Sequence, residues 1–414
     1  MWNRILGLVV LWPLVAGADE PTLSLEQAVE QALREAPQVA ASAAALEGAQ
    51  AVAPSAGRLP DPELVTGVDN LPIDTADRFS FTRDFMTMRK IGVMQSFPNR
   101  KKRHLRTERA EREIAVAQAL LRNVRFETAL AAAEAWIALA LDEESVGRLR
   151  TLKPETDLQA AAGRAALASG RASAAEALAT QTLAAGLDER ILALEQDIEM
   201  RRAELARWIG DAADLRLAAI PTGRELRPSP ESLVAGVPEH APVAPMITQL
   251  AAAQTDVELA RAERRPDWSA ELSYADRGSD FSNMVSLGFR IGLPLFPRYR
   301  QNPVIAEKLA AVRAQEAERD AEIRMQTAEV RAAIAEWQRG RGRLQHYAAE
   351  LLPLARDRSR AAVVSYSAGR GDLFNAIDSL TQEIDIQLEY VQLQGSVARA
   401  WVFLHLLHES GATQ

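Results

Sequence analysis

Between Trp268 and Phe296 the chain reads WSAELSYADRGSDFSNMVSLGFRIGLPLF, and two arms of this stretch alternate strictly. Trp268, Ala270, Leu272 and Tyr274 share one face, with Ser269, Glu271 and Ser273 on the other. After a polar turn, Val285, Leu287, Phe289, Ile291 and Leu293 share a face opposite Ser286, Gly288, Arg290 and Gly292. A period of two marks a strand with one apolar side. Each arm is about 9–11 residues long, the length of a strand tilted across a bilayer. This predicts strands at about 267–276 and 284–294. Two weaker segments, about 62–70 and 88–97, carry Leu64, Thr66 and Val68, then Ile91, Val93 and Phe97, in looser alternation. Four strands do not close a barrel, and open edges are not tolerated in lipid. If these strands span a membrane, several copies must share one wall; three chains would give twelve strands.

The remainder reads as helix. No proline interrupts the chain between Pro98 and Pro154, Pro154 and Pro221, Pro303 and Pro353, or after Pro353. Proline inside a helix costs about 3 kcal/mol or more, so these intervals permit unbroken helices. About 50 helical residues span roughly 75 Å, which exceeds a globular core and suggests a coiled-coil rod or tube. The plan recurs after roughly 200 residues. Arg58-Leu59-Pro60-Asp61 corresponds to Arg265-Pro266-Asp267, and Phe97-Pro98 to Phe296-Pro297. Leu152-Lys153-Pro154 corresponds to Leu352-Pro353, and Ser169-Gly170-Arg171 to Ala368-Gly369-Arg370. We therefore expect a first repeat over 19–220, a Pro-rich linker wrapping the helical tube over 221–245, and a second repeat over 246–414.

On the last helix Phe374, Ile377, Thr381, Ile384, Leu388 and Val391 step by three and four, as a packing seam does. Beside them runs a polar row, Asn375, Asp378, Gln382, Asp385, Glu389 and Gln392. Pattern alone leaves this row as either a solvated face or a lining.

Other signals bound the function. The chain has 414 residues, 48% hydrophobic and 25% charged, which suits a folded protein. A net charge of −8 argues against nucleic acid as a partner. The absence of cysteine excludes disulfides, thiol chemistry and a lipid-modified Cys. Arg4, the apolar run Ile5 to Val15 and Ala16-Gly17-Ala18 predict a signal peptide over 1–18. No later run of 18 apolar residues predicts a transmembrane helix. There is no GxSxG, phosphate loop or HExxH, so neither an enzyme nor a cofactor is expected. His405, His408 and Glu409 have helical metal-ligand spacing, and Met86 and Met88 carry thioethers, but a terminal helix face and loop packing are the plainer readings, and no metal site is assigned. The run Arg100 to Arg103 suits lipid headgroups, a tunnel entrance or a solvated helix start.

Taken together, and with Tyr366-Ser367-Ala368-Gly369 followed by Leu373 and Asp378, the mature chain resembles the TolC-type outer-membrane efflux ducts. The stretch GVMQSFPNRKKRHLR, Gly92 to Arg106, looks most like the heavy-metal branch. The resemblance implies a mainly α protein with a membrane β part: a homotrimer whose 12-stranded β-barrel continues into a helical periplasmic tunnel. It implies an outer-membrane location in a Gram-negative type cell, a periplasmic adaptor and an inner-membrane resistance–nodulation–division pump. It makes the chain a passive exit for heavy-metal cations, or alternatively for drugs or a secreted protein. It makes Asn375, Asp378, Gln382 and Asp385 lumen lining, narrowest at the first two. It makes Ser169, Gly170 and Arg171, with Gly369, Arg370, Gly371 and Asp372, the adaptor-docking tips. Trp268, Leu272, Tyr274, Val285, Leu287, Phe289 and Ile291 would face outer-membrane lipid. A periplasmic coiled-coil adaptor is the rival from another class, and it would lack such strand pairs.

Overall fold

A computed structural model describes residues 22–227, 229–368 and 370–412, and most of them are helical. The expected signal peptide and Gly369 lie outside the described residues. The elements run β1 (Thr22–Leu23), α1 (Leu25–Glu35), α2 (Pro37–Val52), β2 (Glu63–Asp69), β3 (Met88–Phe97), α3 (Arg100–Ala168), α4 (Ala174–Ile209), β4 (Arg216–Leu217), α5 (Pro230–Ala235) and α6 (Ala244–Ala262). Then come β5 (Trp268–Asp276), β6 (Met284–Ile291), α7 (Gln301–His346), a π-helical turn (Tyr347–Leu351), α8 (Leu352–Ser367) and α9 (Leu373–Ala412). The chain divides into two compact units.

One unit comprises Met1–Ala36, Ala129–Glu225 and Ala335–Val402. Its core is made by helices. Val146 and Leu149 of α3 pack with Leu187 and Ile191 of α4 and Ile384 of α9. Leu344 packs with Leu393 and Val397. Trp136 is fully buried and its Nε1 donates to the Leu23 carbonyl at 3.2 Å, so the indole keeps its hydrogen bond inside the core. Beside it β1 and β4 pair in parallel. Ser24 starts α1 with a reciprocal capping box to Gln27.

Proline does not punctuate these helices as the sequence suggested. Pro154 lies inside α3, which continues to Ala168. The apolar cluster around Val146, Leu149 and Leu152 packs α3 against α4 just before the proline, and such tertiary packing outweighs a local penalty of about 3 kcal/mol. Pro353 instead lies just inside α8, where Leu351 and Leu352 before it are already helical and the helix runs on through it. The π-helical turn precedes it.

The other unit comprises Pro37–Thr128, Leu226–Ile334 and Phe403–Gln414. It holds an antiparallel sheet of order β2-β3-β5-β6, so β2 and β6 are edges. The register aligns rows across all four strands. Leu64, Val93, Leu272 and Leu287 form one row; Thr66, Ile91, Tyr274 and Val285 form the next. Phe97 and Trp268 are paired in register and stack at 4.2 Å. One face is therefore almost wholly apolar. The other carries rows such as Glu63, Met94, Glu271 and Gly288, then Val65, Gly92, Ser273 and Ser286.

The apolar side is exposed on all four strands, whereas the polar side is sheltered on the central strands β3 and β5. Val285 is 71% exposed, Leu287 65% and Ile91 54%. On the polar side Glu271 and Ser273 are only 7% and 5% exposed. A sheet in a soluble protein has the reverse polarity.

Small residues let the polar side close up. A Cβ on Gly92 would lie 2.6 Å from the Ser273 Cβ and 2.7 Å from the Leu272 carbonyl oxygen, whereas one on Gly67 would meet nothing within 4 Å. We expect Gly92→Ala to destabilise the protein by about 1–3 kcal/mol through overpacking. Gly67→Ala should stay within about 0.5 kcal/mol. Denaturant midpoints of the two variants in mild detergent check this; equal midpoints would show that the sheet does not close up at Gly92.

Candidate functional site

Alternation in β3, β5 and β6 places three charged side chains on the polar side of the sheet. Lys90 Nζ lies 2.6 Å from Glu271 Oε1, and Arg290 Nη2 lies 2.6 Å from Glu271 Oε2. Arg290 Nη1 also approaches Met94 Sδ at 2.9 Å. The Glu271 carboxylate is thus held by cations from the strands on both sides. A charge this sheltered is costly unless paired, and removing one partner costs more than the pair contributes. Sequence reading put Glu271 and Arg290 on the polar face but did not bring Lys90 to them.

The expected lipid-facing residues Trp268, Leu272, Tyr274, Val285, Leu287, Phe289 and Ile291 all lie on the exposed apolar side. No described helix is long and apolar enough to cross a membrane.

The first helix tip is a glycine turn. Gly170 adopts φ +70°, which L side chains rarely reach, and the Arg171 N–H donates to the Ala166 carbonyl at 2.9 Å. Ser173 then caps α4 while Glu176 reaches back to the Ser173 N–H at 2.6 Å. That backbone hydrogen bond, and one with the Ser173 side chain, hold the Glu176 carboxyl below its ordinary range. Its contribution to the tip is therefore present above the usual carboxylate pKa and is lost as pH falls through the lowered value. Ser169, Gly170 and Arg171 are exposed. At the second tip Arg370, Gly371 and Asp372 are exposed, and the Arg370 N–H donates to the Ser365 carbonyl at 3.0 Å. Leu373, next in sequence, is buried and fixes the start of α9.

The polar row of α9 has partners that the sequence did not announce. Arg358 of α8 lies 3.3 Å from Asp378 Oδ2 and also hydrogen-bonds Gln382. Gln382 Nε2 donates to Asp378 at 3.1 Å. Arg190 of α4 lies 3.0 Å from Asp385. Asn375 is exposed at the end of the row nearest the tip. One helical step aside, Glu383 is 4% exposed, accepts a hydrogen bond from the Ser359 hydroxyl and lies 4.0 Å from Arg356. Spacing along α9 displays the row; it carries no signal for bases that arrive from α4 and α8.

His405 Nε2 lies 3.2 Å from Glu409 Oε1. Burial pushes the His240 imidazole below its usual pKa, and His408 adds to the effect. Among the described residues no group of three His, Cys, Asp or Glu side chains is arranged to hold a metal ion. Met88 lies on the polar side of the sheet, paired in register with Asp69, and Met86 is an exposed loop residue.

Burial ranks the α8–α9 contacts. Arg358 and Asp378 have half-exposed side chains, and such a pair contributes about 0.2–1 kcal/mol. Ser359 satisfies a buried carboxylate, and losing that donor costs about 1–3 kcal/mol or more. Denaturant unfolding should accordingly show Ser359→Ala to be more damaging than Arg358→Ala; the opposite order would make the exposed pair the principal pin.

Residues 241–408 match the family described as Outer membrane efflux protein. The chain is 24% identical over 388 residues to the cobalt-zinc-cadmium resistance protein CzcC of Cupriavidus metallidurans, covering 91% of this chain and 88% of that protein. Among solved structures it is similar to CusC, with TM-score 0.77 and 14% identity, covering 92% of this chain and 91% of that one. It is also similar to the outer membrane protein VceC of Vibrio cholerae, with TM-score 0.78 and 20% identity, covering 94% and 96%.

Proposed function

We propose that this chain, whose residues 241–408 match the outer membrane efflux protein family, is the passive exit channel of a tripartite heavy-metal efflux system. The observation that carries the reading is the reversed polarity of the sheet. Every apolar row is exposed, and the sheltered side holds serine, glycine and a paired carboxylate. Water disfavours that arrangement, and hydrocarbon favours it. A periplasmic adaptor has no use for such a sheet.

Both sheet edges need partners once the apolar face is in lipid. β6 of one copy pairing with β2 of the next satisfies them, and three copies give a closed wall. The polar sides then line a water-filled lumen. The channel supplies a path and no work. An inner-membrane pump of the resistance–nodulation–division class drives the cargo, and an adaptor docks at the tips around Gly170 and Arg370.

Cation preference follows from the row on α9. In a trimer three copies each of Asp378 and Asp385 surround one axis, and a ring of carboxylates concentrates cations and repels anions. Within one chain Arg358 and Arg190 pair with these carboxylates. Separation of α8 from α9 would expose the Asp378 charge to the lumen. Heavy metals are favoured over drugs as cargo by the similarity to CzcC, which extends along nearly the whole chain.

Two tests separate the parts of this reading. Leu287→Arg should block outer-membrane assembly, since a charge on the lipid side near mid-bilayer costs about 2–4 kcal/mol, whereas Ser286→Arg should assemble. Equal behaviour of the two in membrane fractions would overturn the facing. Deletion of the chain in its own host should sensitise cells to cobalt, zinc or cadmium. Sensitivity confined to organic drugs would keep the channel and remove the metal.

A further inference from the structure

At the end of the sheet where the chain enters α3 and α7, the apolar band does not stop with β6. Leu293, Leu295, Phe296 and Tyr299 follow it and are 66%, 69%, 65% and 76% exposed. Arginines are interleaved with them, Arg298 and Arg300 in this stretch and Arg264 and Arg265 just before β5. Arg265 and Arg300 line one crevice of about 370 Å3 together with Leu293, Pro294 and Val304.

The acids of that crevice are already engaged. Lys102, whose side chain is 3% exposed, lies 2.9 Å from Glu263 and 2.8 Å from Asp267. Asp267 also accepts the Asn99 N–H at 2.7 Å, and Arg106 approaches Glu263 at 4.0 Å. No hydrogen bond or ion pair engages the Arg265 or Arg300 side chain among the described residues. Two exposed arginines therefore line a mixed crevice in which the acids are already paired and Leu293, Pro294 and Val304 supply the apolar part. The other end of the sheet is different. There Asp74, Asp77, Asp84 and Asp280 accompany Arg78, Arg83 and Arg277.

We propose that Arg265 and Arg300 clamp the phosphate of an anionic phospholipid at the helix-side rim of the barrel, with Leu293, Pro294 and Val304 receiving the start of its acyl chain. This rests on the outer-membrane reading above. Guanidinium matches phosphate bidentately, is weakly hydrated and stays charged at any working pH. The apolar band brings the bilayer to the crevice, and the arginines occupy the level where hydrocarbon gives way to headgroups. The clamp fixes the height of the barrel in the membrane from the helical side, and the acidic loop end contributes no equivalent hold.

The test uses the full-length protein in mild detergent, titrated with phosphatidylglycerol or phosphatidylcholine and read by native mass spectrometry. Phosphatidylglycerol should bind more tightly than phosphatidylcholine. Removing both charges, as Arg265→Gln with Arg300→Gln, should weaken phosphatidylglycerol binding by about five-fold per arginine and leave phosphatidylcholine unchanged. Arg78→Gln with Arg83→Gln at the opposite end should match the parent. Equal phosphatidylglycerol binding by the Arg265/Arg300 variant and the parent overturns the clamp. So does displacement of the lipid by millimolar inorganic phosphate, which would mark a free-anion site. Insertion into vesicles is scored separately: a parent protein that does not insert sinks the channel reading, whereas insertion with arginine-independent lipid binding sinks the clamp alone.

Discussion

Unpaired backbone at the two edges of the sheet governs what this molecule can be. Among the described residues β2 and β6 each leave one edge without a neighbouring strand. In water the backbone groups at those edges are solvated, but the exposed apolar face beside them is not tolerated. In hydrocarbon the face is satisfied and the edges are not, at several kcal/mol for each unmade hydrogen bond. No placement of a single copy relieves both costs. Closure with further copies relieves both, which makes assembly and membrane residence one requirement.

The same requirement explains the sheltered side. A closed wall of this kind turns one face of every strand toward water, so charge is affordable there when it is paired. Glu271 takes Lys90 from one neighbouring strand and Arg290 from the other. Gly92 and Ser273 let the strands approach where a larger side chain would collide with backbone. Bulk is placed outward and charge inward. A slip of one residue in register would exchange the two sides, and the four coherent rows make such a slip costly.

Much of the sheet was legible because period-two alternation is local. β5 and β6 alternate without interruption, and the register carries Trp268 through Tyr274 and Val285 through Ile291 onto one side. β2 and β3 read less clearly, since Arg89 and Gln95 share the apolar side with Ile91 and Val93. The α9 row was legible as a row, but its meaning lies in partners distant in sequence. Arg358 is 20 residues from Asp378, and Arg190 is 195 from Asp385. Periodicity within one helix has no term for either. The candidate lipid crevice was half visible for the same reason: Arg100 to Arg103 stood out as a run, whereas the fold spends Lys102 on Glu263 and Asp267 and sets Arg265 and Arg300, from separate segments, on one crevice.

Proline misled because its effect depends on what surrounds it, and Pro154 and Pro353 are accommodated differently. In the first half α3 absorbs Pro154 and runs on to its tip. Later in the chain α7 passes through a π turn at Tyr347–Leu351 and continues as α8 through Pro353. A single-turn π segment marks a place where the helical ladder is already loosened. Beyond it α8 is held to α9 by Arg358 with Asp378, and by Ser359 with buried Glu383. The first half has no such break before its tip. α3 thus reaches its turn as one α-helix, while α8 follows a π turn and meets α9 through Arg358 with Asp378 and Ser359 with Glu383.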